Sequence, residues 1–311
     1  MSDAGREAQR RVWATLPGGL REVLAERLPR TDLQTLLISL AADRAADVTP
    51  ADVVRRWRED RFVQPARSDP RAIAAVESLL WRMLPDDVAG VELSPVVPLG
   101  TASALGPVSQ NRVVSTTRLT EVVSDSTNAL AVEAAVRRQR QESLDEVHLA
   151  AAHRQLRAQQ FGAGAASHFR LFALVSSARD SGSGTTEARV LVRHIAYWRD
   201  VLAALVPASA PAIHLATFAD GPVGERLRDT VVPAVTPQAG VVAIVEDQAR
   251  ERGRGYYSNV ALRITADDAG GDPVDLGDGG LTTWTAQLMG NAKERCLVSC
   301  IATERLVELR G

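Results

Sequence analysis

Apolar residues recur at intervals of three and four through the first 65 positions, in LREVLAERL and LQTLLISLAADRA, and this spacing predicts helices. TPADVVRRW adds a threonine cap with proline just inside the helix. SDPRAIAAVESLLWRML predicts a further helix, capped by Ser68 or Asp69 and ended before Pro85. VAGVELSPVVPLG then reads as a strand stopped by prolines. STTRLTEVVSDSTNALAVEAAVRRQRQ begins strand-like and turns helical near Asp125 to Thr127. VHLAAAHRQLRAQQF and SHFRLFALVSSARD read as two antiparallel strands joined by a Gly-Ala loop at 162–167, although alanine and glutamine leave the first ambiguous with helix. TTEARVLVRHIAYWRDVLAAL is amphipathic over about five turns. Beyond it come the apolar run AIHLATF, a helix GERLRDTVVPAV, and strands GVVAIVED and GYYSNVALRITA. DDAGGDPVDLGDGG reads as a turn-rich loop. TTWTAQLMG, a short helix, and the apolar run RCLVSCIATERLVELRG follow. Mainly antiparallel strands flanked by helices predict an α+β fold, with a helical extension over 1–65 and a main domain over 66–311.

Composition sharpens this only in places. A chain of 311 residues, 45% hydrophobic and 24% charged, can bury a large core. Its net charge of −2 argues against a general nucleic-acid binder, and Lys293 is the sole lysine, so a single arginine carries little weight. The start, MSDAGREAQRRVW, lacks a signal-peptide apolar core, and no stretch reaches about 18 uninterrupted apolar residues. A cytoplasmic protein without membrane association is expected. Cys296 and Cys300 lie four apart without zinc spacing and read as small buried residues. No glycine-rich phosphate loop, HExxH, GxSxG or CxxC pair is present. Any nucleotide must therefore be held by arginines and an aromatic ring.

Three segments together resemble the catalytic core of class II aminoacyl-tRNA synthetases, closest to the histidyl-tRNA synthetase branch. The second signature of that core reads here Leu156-Arg157-Ala158-Gln159, a loop, then His168 and Phe172. The third reads Cys300-Ile301-Ala302-Thr303-Glu304-Arg305-Leu306, and the first, an interface helix and strand ending in proline, falls at 70–98. SDSTNALAVEAAVR resembles the branch's Arg-Pro-Glu-Gly-Thr segment, with Asp125 and Thr127 at the acid and hydroxyl. RGRGYYSNVALRI resembles its Arg-Gly-x-x-Tyr-Tyr strand.

The resemblance implies ATP-dependent activation of a carboxylic acid with Mg²⁺. Arg157 would meet charge at the α-phosphate, Arg305 would hold the γ-phosphate, and Phe172 would stack under adenine. His168 would sit near the phosphates or ribose, and Glu304 beside the nucleotide. A fixed, always protonated guanidinium suits such charge. Arg252, with Arg254 as rival, would help adenylate formation. Asp125, Thr127, Tyr256 and Tyr257 would line the substrate site, and Glu294 or Glu304 would be candidates for the metal. A homodimer through 70–98 is implied as well.

Departures from the pattern redirect the expected substrate. Gln159 replaces the glutamate of Arg-x-Glu, Cys300 and Ala302 replace glycines, and only Gly279 and Gly280 survive of a Gly-Gly-Arg-Tyr-Asp loop. Leu174 and Ala178 stand where the histidine enzymes grip imidazole, so histidine is not the expected substrate. The sequence ends six residues after Arg305, so no C-terminal anticodon-binding domain and only weak, salt-dependent tRNA affinity are expected. Transfer to a small amine, hydroxyl or carrier thiol is the expected second step. The alternative is a catalytically retired paralogue acting as a regulatory or ligand-sensing subunit.

Overall fold

The computed structural model describes residues 3–140, 146–159, 166–235, 240–247, 250 and 253–310. In chain order the elements begin with helices α1 (Asp3–Ala14), α2 (Leu20–Glu22, continued by a π turn), α3 (Arg30–Ala46), α4 (Pro50–Glu59) and α5 (Pro70–Arg82). Strands β1 (Val88–Gly90) and β2 (Val96–Pro98), helix α6 (Thr101–Leu105), strand β3 (Thr120–Val122) and helix α7 (Ser126–Arg140) follow. Next are β4 (Glu146–Leu156), β5 (His168–Arg179), α8 (Thr185–Leu205), β6 (Ala212–Thr217), α9 (Gly221–Arg226) and, after a π turn, α10 (Val232–Val235). Last come β7 (Ala243–Glu246), β8 (Val260–Asp267), β9 (Pro273–Thr282), α11 (Trp284–Met289), β10 (Glu294–Ala302) and α12 (Thr303–Arg310).

Local sequence sets several of these boundaries. Thr49 and Asp52 form a reciprocal capping box ahead of α4, with Pro50 at its first position. Asp69, not Ser68, caps α5 through the Arg71 amide at 2.9 Å. The prolines of VAGVELSPVVPLG split the expected strand in two. β1 pairs in parallel with β4, whereas β2 pairs with β3 in a separate two-stranded sheet.

An eight-stranded sheet runs β1-β4-β5-β10-β9-β8-β6-β7. β10 is antiparallel to β5 and β9, and β8 is antiparallel to β9 and β6. The α+β expectation holds. The turn-rich reading of DDAGGDPVDLGDGG does not, because its second half is β9, between β8 and β10. Its glycines mark close approach. A Cβ at Gly277 would lie 2.0 Å from the Cys300 carbonyl oxygen, and one at Gly280 would lie 2.4 Å from that of Val260.

Two compact units are present. The first gathers 1–65, 95–124 and 156–168. Within it, Arg61 donates to the carbonyls of Gln159 (3.0 Å) and Ala158 (2.5 Å) and to the Ser167 hydroxyl (2.5 Å). The buried Glu121 carboxylate accepts from the amides of Gly100 and Ala102, each at 2.8 Å. The second unit, 66–94, 125–155 and 169–311, contains the large sheet apart from the tips of β4 and β5. One sheet face is closed by α5 and α8 over Leu80, Phe172, Leu191, Trp198, Leu262 and Leu297. The opposite face meets α7 and α11. There the buried Arg138 of α7 pairs with Glu294 of β10 at 3.0 Å.

Candidate functional site

Strand alternation sorts the second unit's candidates by face. On β10, Ser299 bonds His194 and Trp198 of α8, so Glu294, Cys296, Val298, Cys300 and Ala302 point away from α8. The register then lines up His214, Arg263, Asp278, Cys300 and Ala173 across five strands on that opposite face. The Cys300 thiol contacts Asp278 Oδ1 at 3.7 Å, and Arg263 pairs with Asp275 at 2.5 Å. His214 Nε2 lies 2.9 Å from the Thr265 hydroxyl, and burial holds its pKa below the ordinary value, with Arg263 adding to the shift.

Tyr257 belongs to the same surroundings. Its ring packs where a Cβ on Gly280 would be, 2.5 Å from its Cδ1, which explains the glycine. Burial pushes its phenol well above the ordinary range, and Asp278, Tyr256, Cys300 and Asp125 push in the same direction. Tyr256 packs edge-on against both Tyr257 and Trp284, with ring centroids at 5.0 and 5.6 Å. Asp125 caps the first turn of α7, its Oδ1 accepting from the Thr127 amide (2.9 Å) and hydroxyl (2.7 Å). Thr127 is buried and its hydroxyl proton is committed to Asp125. Asp125, Tyr256, Tyr257, Asp278 and Cys300 thus form one acidic and phenolic cluster.

Other candidates lie elsewhere. Phe172 is fully buried among Trp81, Tyr197 and Trp198 on the α8 face, so its ring cannot stack on adenine. Leu174 and Ala178 share that core. Phe169, three residues earlier and on the other face of β5, is the half-buried aromatic that the spacing argument passed over. Arg157 and His168 belong to the first unit. Arg157 Nε donates to the Ser124 carbonyl at 2.7 Å, and His168 Nε2 donates to that of Gln64 at 2.6 Å. Arg305 is exposed on α12 and donates to the Asp275 carbonyl. Arg252 lies outside the described residues, as do positions 162–165 of the expected loop. Arg254 sits over the Phe218 ring at 4.7 Å.

Neither metal candidate fits a magnesium ion. Glu294 is buried against Arg138, and burial raises its pKa. Glu304 accepts from Arg154 at 2.8 Å and from the Arg170 amide at 3.3 Å. Among the described residues no group of three or more metal-ligating side chains occurs. Cys296 is buried as expected, its thiol pushed up to about 11, but Cys300 is half-exposed.

Sequence spacing also missed His214, Arg263 and Asp278. The first two are the polar positions inside AIHLATF and VALRITA. Period-two alternation marks both, and only strand pairing puts them beside Cys300.

No family model matches this sequence, and no curated protein matches it. Solved structures do. Apo histidyl-tRNA synthetase from S. aureus is 13% identical with a TM-score of 0.58, covering 84% of this chain and 67% of that one. A protein from Bacillus halodurans C described as an ATP phosphoribosyltransferase regulatory subunit/histidyl-tRNA synthetase is 10% identical with a TM-score of 0.62, covering 79% and 82%. Histidyl-tRNA synthetase from Nostoc sp. PCC 7120 is 14% identical with a TM-score of 0.59, covering 80% and 73%. The fold is that of the class II aminoacyl-tRNA synthetase core. At these identities the likeness concerns the fold alone. Among the described residues no helix is long and apolar enough to cross a membrane.

Proposed function

We propose that this protein activates a carboxylic acid, in particular an amino acid, as its acyl-adenylate. The observation that carries the reading is the cluster of Asp125, Tyr256, Tyr257, Asp278 and Cys300 on the sheet face turned away from α8, in a fold shared with ligases. A carboxylate at the first turn of a helix suits the ammonium of an amino acid. In the reaction, a carboxylate oxygen of the acid attacks the α-phosphorus of ATP and pyrophosphate leaves. Arg157 meets the charge that grows there, and Arg305 holds the γ-phosphate. Phe169 takes over the aromatic role first given to Phe172. Arg252 would assist adenylate formation. Neither Glu294, paired with Arg138, nor Glu304, paired with Arg154, suits a magnesium ion. The acyl group then passes to a small amine, a hydroxyl or a carrier-protein thiol, with AMP leaving. A net charge of −2 supplies no overall field for tRNA as the acceptor. The protein acts as a cytoplasmic homodimer through 70–98.

Substrate-dependent ATP–pyrophosphate exchange over a panel of amino acids tests this. Arg157→Ala should lower exchange by on the order of 10²–10³ with a modest change in ATP affinity, as for loss of a transition-state donor. Arg305→Ala should raise the KM for ATP more than it lowers turnover. Parent-like exchange in both variants would place the site elsewhere.

The second reading is a retired paralogue that senses a ligand or regulates a partner. The buried Phe172 and the Cys300 and Ala302 side chains in the third signature favour it, as does the likeness to a protein described as a regulatory subunit. Silence across the panel, with a ligand still bound, would select it.

A further inference from the structure

Behind β10, on the face opposite the candidate site, polar groups form an unbroken chain from the core to the rim of the second unit. Trp198 Nε1 lies 2.7 Å from Ser299 Oγ, which lies 2.8 Å from His194 Nδ1. His194 Nε2 lies 2.9 Å from Ser176 Oγ, and Ser176 Oγ lies 2.7 Å from His148 Nδ1. His148 Nε2 ends the chain 3.1 Å from Glu146 Oε2. Trp198, Ser299, His194 and Ser176 are all buried.

The two ends fix the direction of every bond. Indole N–H can only donate, and an ionised carboxylate can only accept. From the rim, His148 must carry its proton on Nε2 to donate to Glu146, which leaves Nδ1 to accept from Ser176. Ser176 then accepts from His194 Nε2, and His194 Nδ1 accepts from Ser299. From the core, Ser299 accepts from Trp198 and donates to His194. Both ends give the same order, with each imidazole neutral and each hydroxyl donating once and accepting once.

Protonating His148 breaks this order. Its Nδ1 becomes a donor, and Ser176 either accepts from both imidazoles with its own buried proton unmet, or turns that proton to His194 Nε2 while His194 carries its own on Nδ1. In the second arrangement Ser299 faces two donors, Trp198 and His194, and its own proton has no acceptor within the chain. An unmet buried donor is costly. Ser299 stands between Val298 and Cys300, both on the site face of β10.

We propose that this chain is a one-way lock on β10, closed while both imidazoles are neutral with the proton on Nε2, and opened at the strand's centre by protonation of His148 at the rim. Around His148 stand Glu146, itself paired with Arg189, then Arg193 and His194 of α8, and Asp87 after α5, paired with Arg193. Burial, with Arg193, lowers the pKa of His148, while Glu146 and Asp87 oppose the shift. Burial lowers that of His194 to about 3, with His148 and Arg193 adding. Both folded-state values lie below the unfolded value near 6.5. The stability they contribute is therefore complete above about pH 6.5 and is lost as pH falls toward the folded-state values.

Nitrogen-15 histidine spectra of the full-length chain at pH 7.5 test the tautomers, and the Ser299 amide resonance reads the strand during acid titration. Both histidines should show protonated Nε2 and bare Nδ1, and the Ser299 amide should move with the His148 titration. Between pH 7.5 and 5.5 the urea unfolding constant of the parent should rise up to about tenfold more than that of His148→Gln. Protonated Nδ1 on either histidine at pH 7.5, or a Ser299 amide indifferent to that titration, would overturn the lock. So would equal pH dependence of parent and variant. Should the variant not fold, the spectra of the unsubstituted chain decide alone.

Discussion

Phe172 and Phe169 stand three positions apart on β5, and that odd spacing puts them on opposite faces of the sheet. Spacing from His168 selected Phe172, because a signature counted along the chain does not record which way a strand's pleat turns. The wholly buried Phe172 packs on Trp81 with ring centroids 4.8 Å apart. Phe172→Ala should cost about 3–5 kcal/mol in urea unfolding, as for other buried aromatics. Phe169→Ala should leave stability nearly unchanged and weaken ATP binding, measured by titration calorimetry. Equal ATP affinity in Phe169→Ala and parent would remove the aromatic platform from the proposed site. Asp125 shows a different limit. Its cap on α7 and its proposed hold on an ammonium use the same carboxylate, so helix-start logic found the residue without choosing between the roles.

Among the elements, β9 departs furthest from its sequence reading. Glycine and aspartate are poor strand formers, and DLGDGG lacks an apolar alternation, so local pattern favours a loop. Two neighbouring strands override that preference by pressing their carbonyls onto positions that only glycine can occupy. Gly277→Ala should cost at the upper end of the roughly 1–3 kcal/mol of overpacking, because the obstacle is the β10 backbone. Gly18→Ala, with nothing within 4 Å of the added methyl, is the matched control and should change little. A near-neutral Gly277→Ala in thermal unfolding would mean that β9 and β10 separate more easily than the register implies. By contrast, α8 spans Thr185–Leu205, the segment its periodicity predicted, since a long stripe buried on one side leaves little ambiguity.

For the whole molecule, the proposed homodimer through 70–98 is open to measurement. Light scattering at micromolar concentration should return twice the 33.4 kDa chain mass. A strict monomer would withdraw the interface role of α5 and β1 while leaving the adenylation proposal to the exchange assay. The second unit combines a dry core under α5 and α8 with a polar row on the far face of the same sheet. Binding groups on one face can therefore vary while the other keeps the fold.

The sequence by itself determined the longer helices and the α+β class, because periodicity and caps act over a few neighbouring residues. Through the resemblance it also nominated Arg157, Asp125, Tyr257 and Arg305, whose roles stay with the exchange and binding assays. Tertiary structure decided what lies between distant segments: that β9 is a strand, that Phe172 is core, and that His214, Arg263, Asp278 and Cys300 stand in one row. Those outcomes depend on cross-strand register and on which face another element covers. No short-range pattern encodes either, since pairing partners lie up to 131 positions apart, as Leu171 of β5 lies from Ala302 of β10.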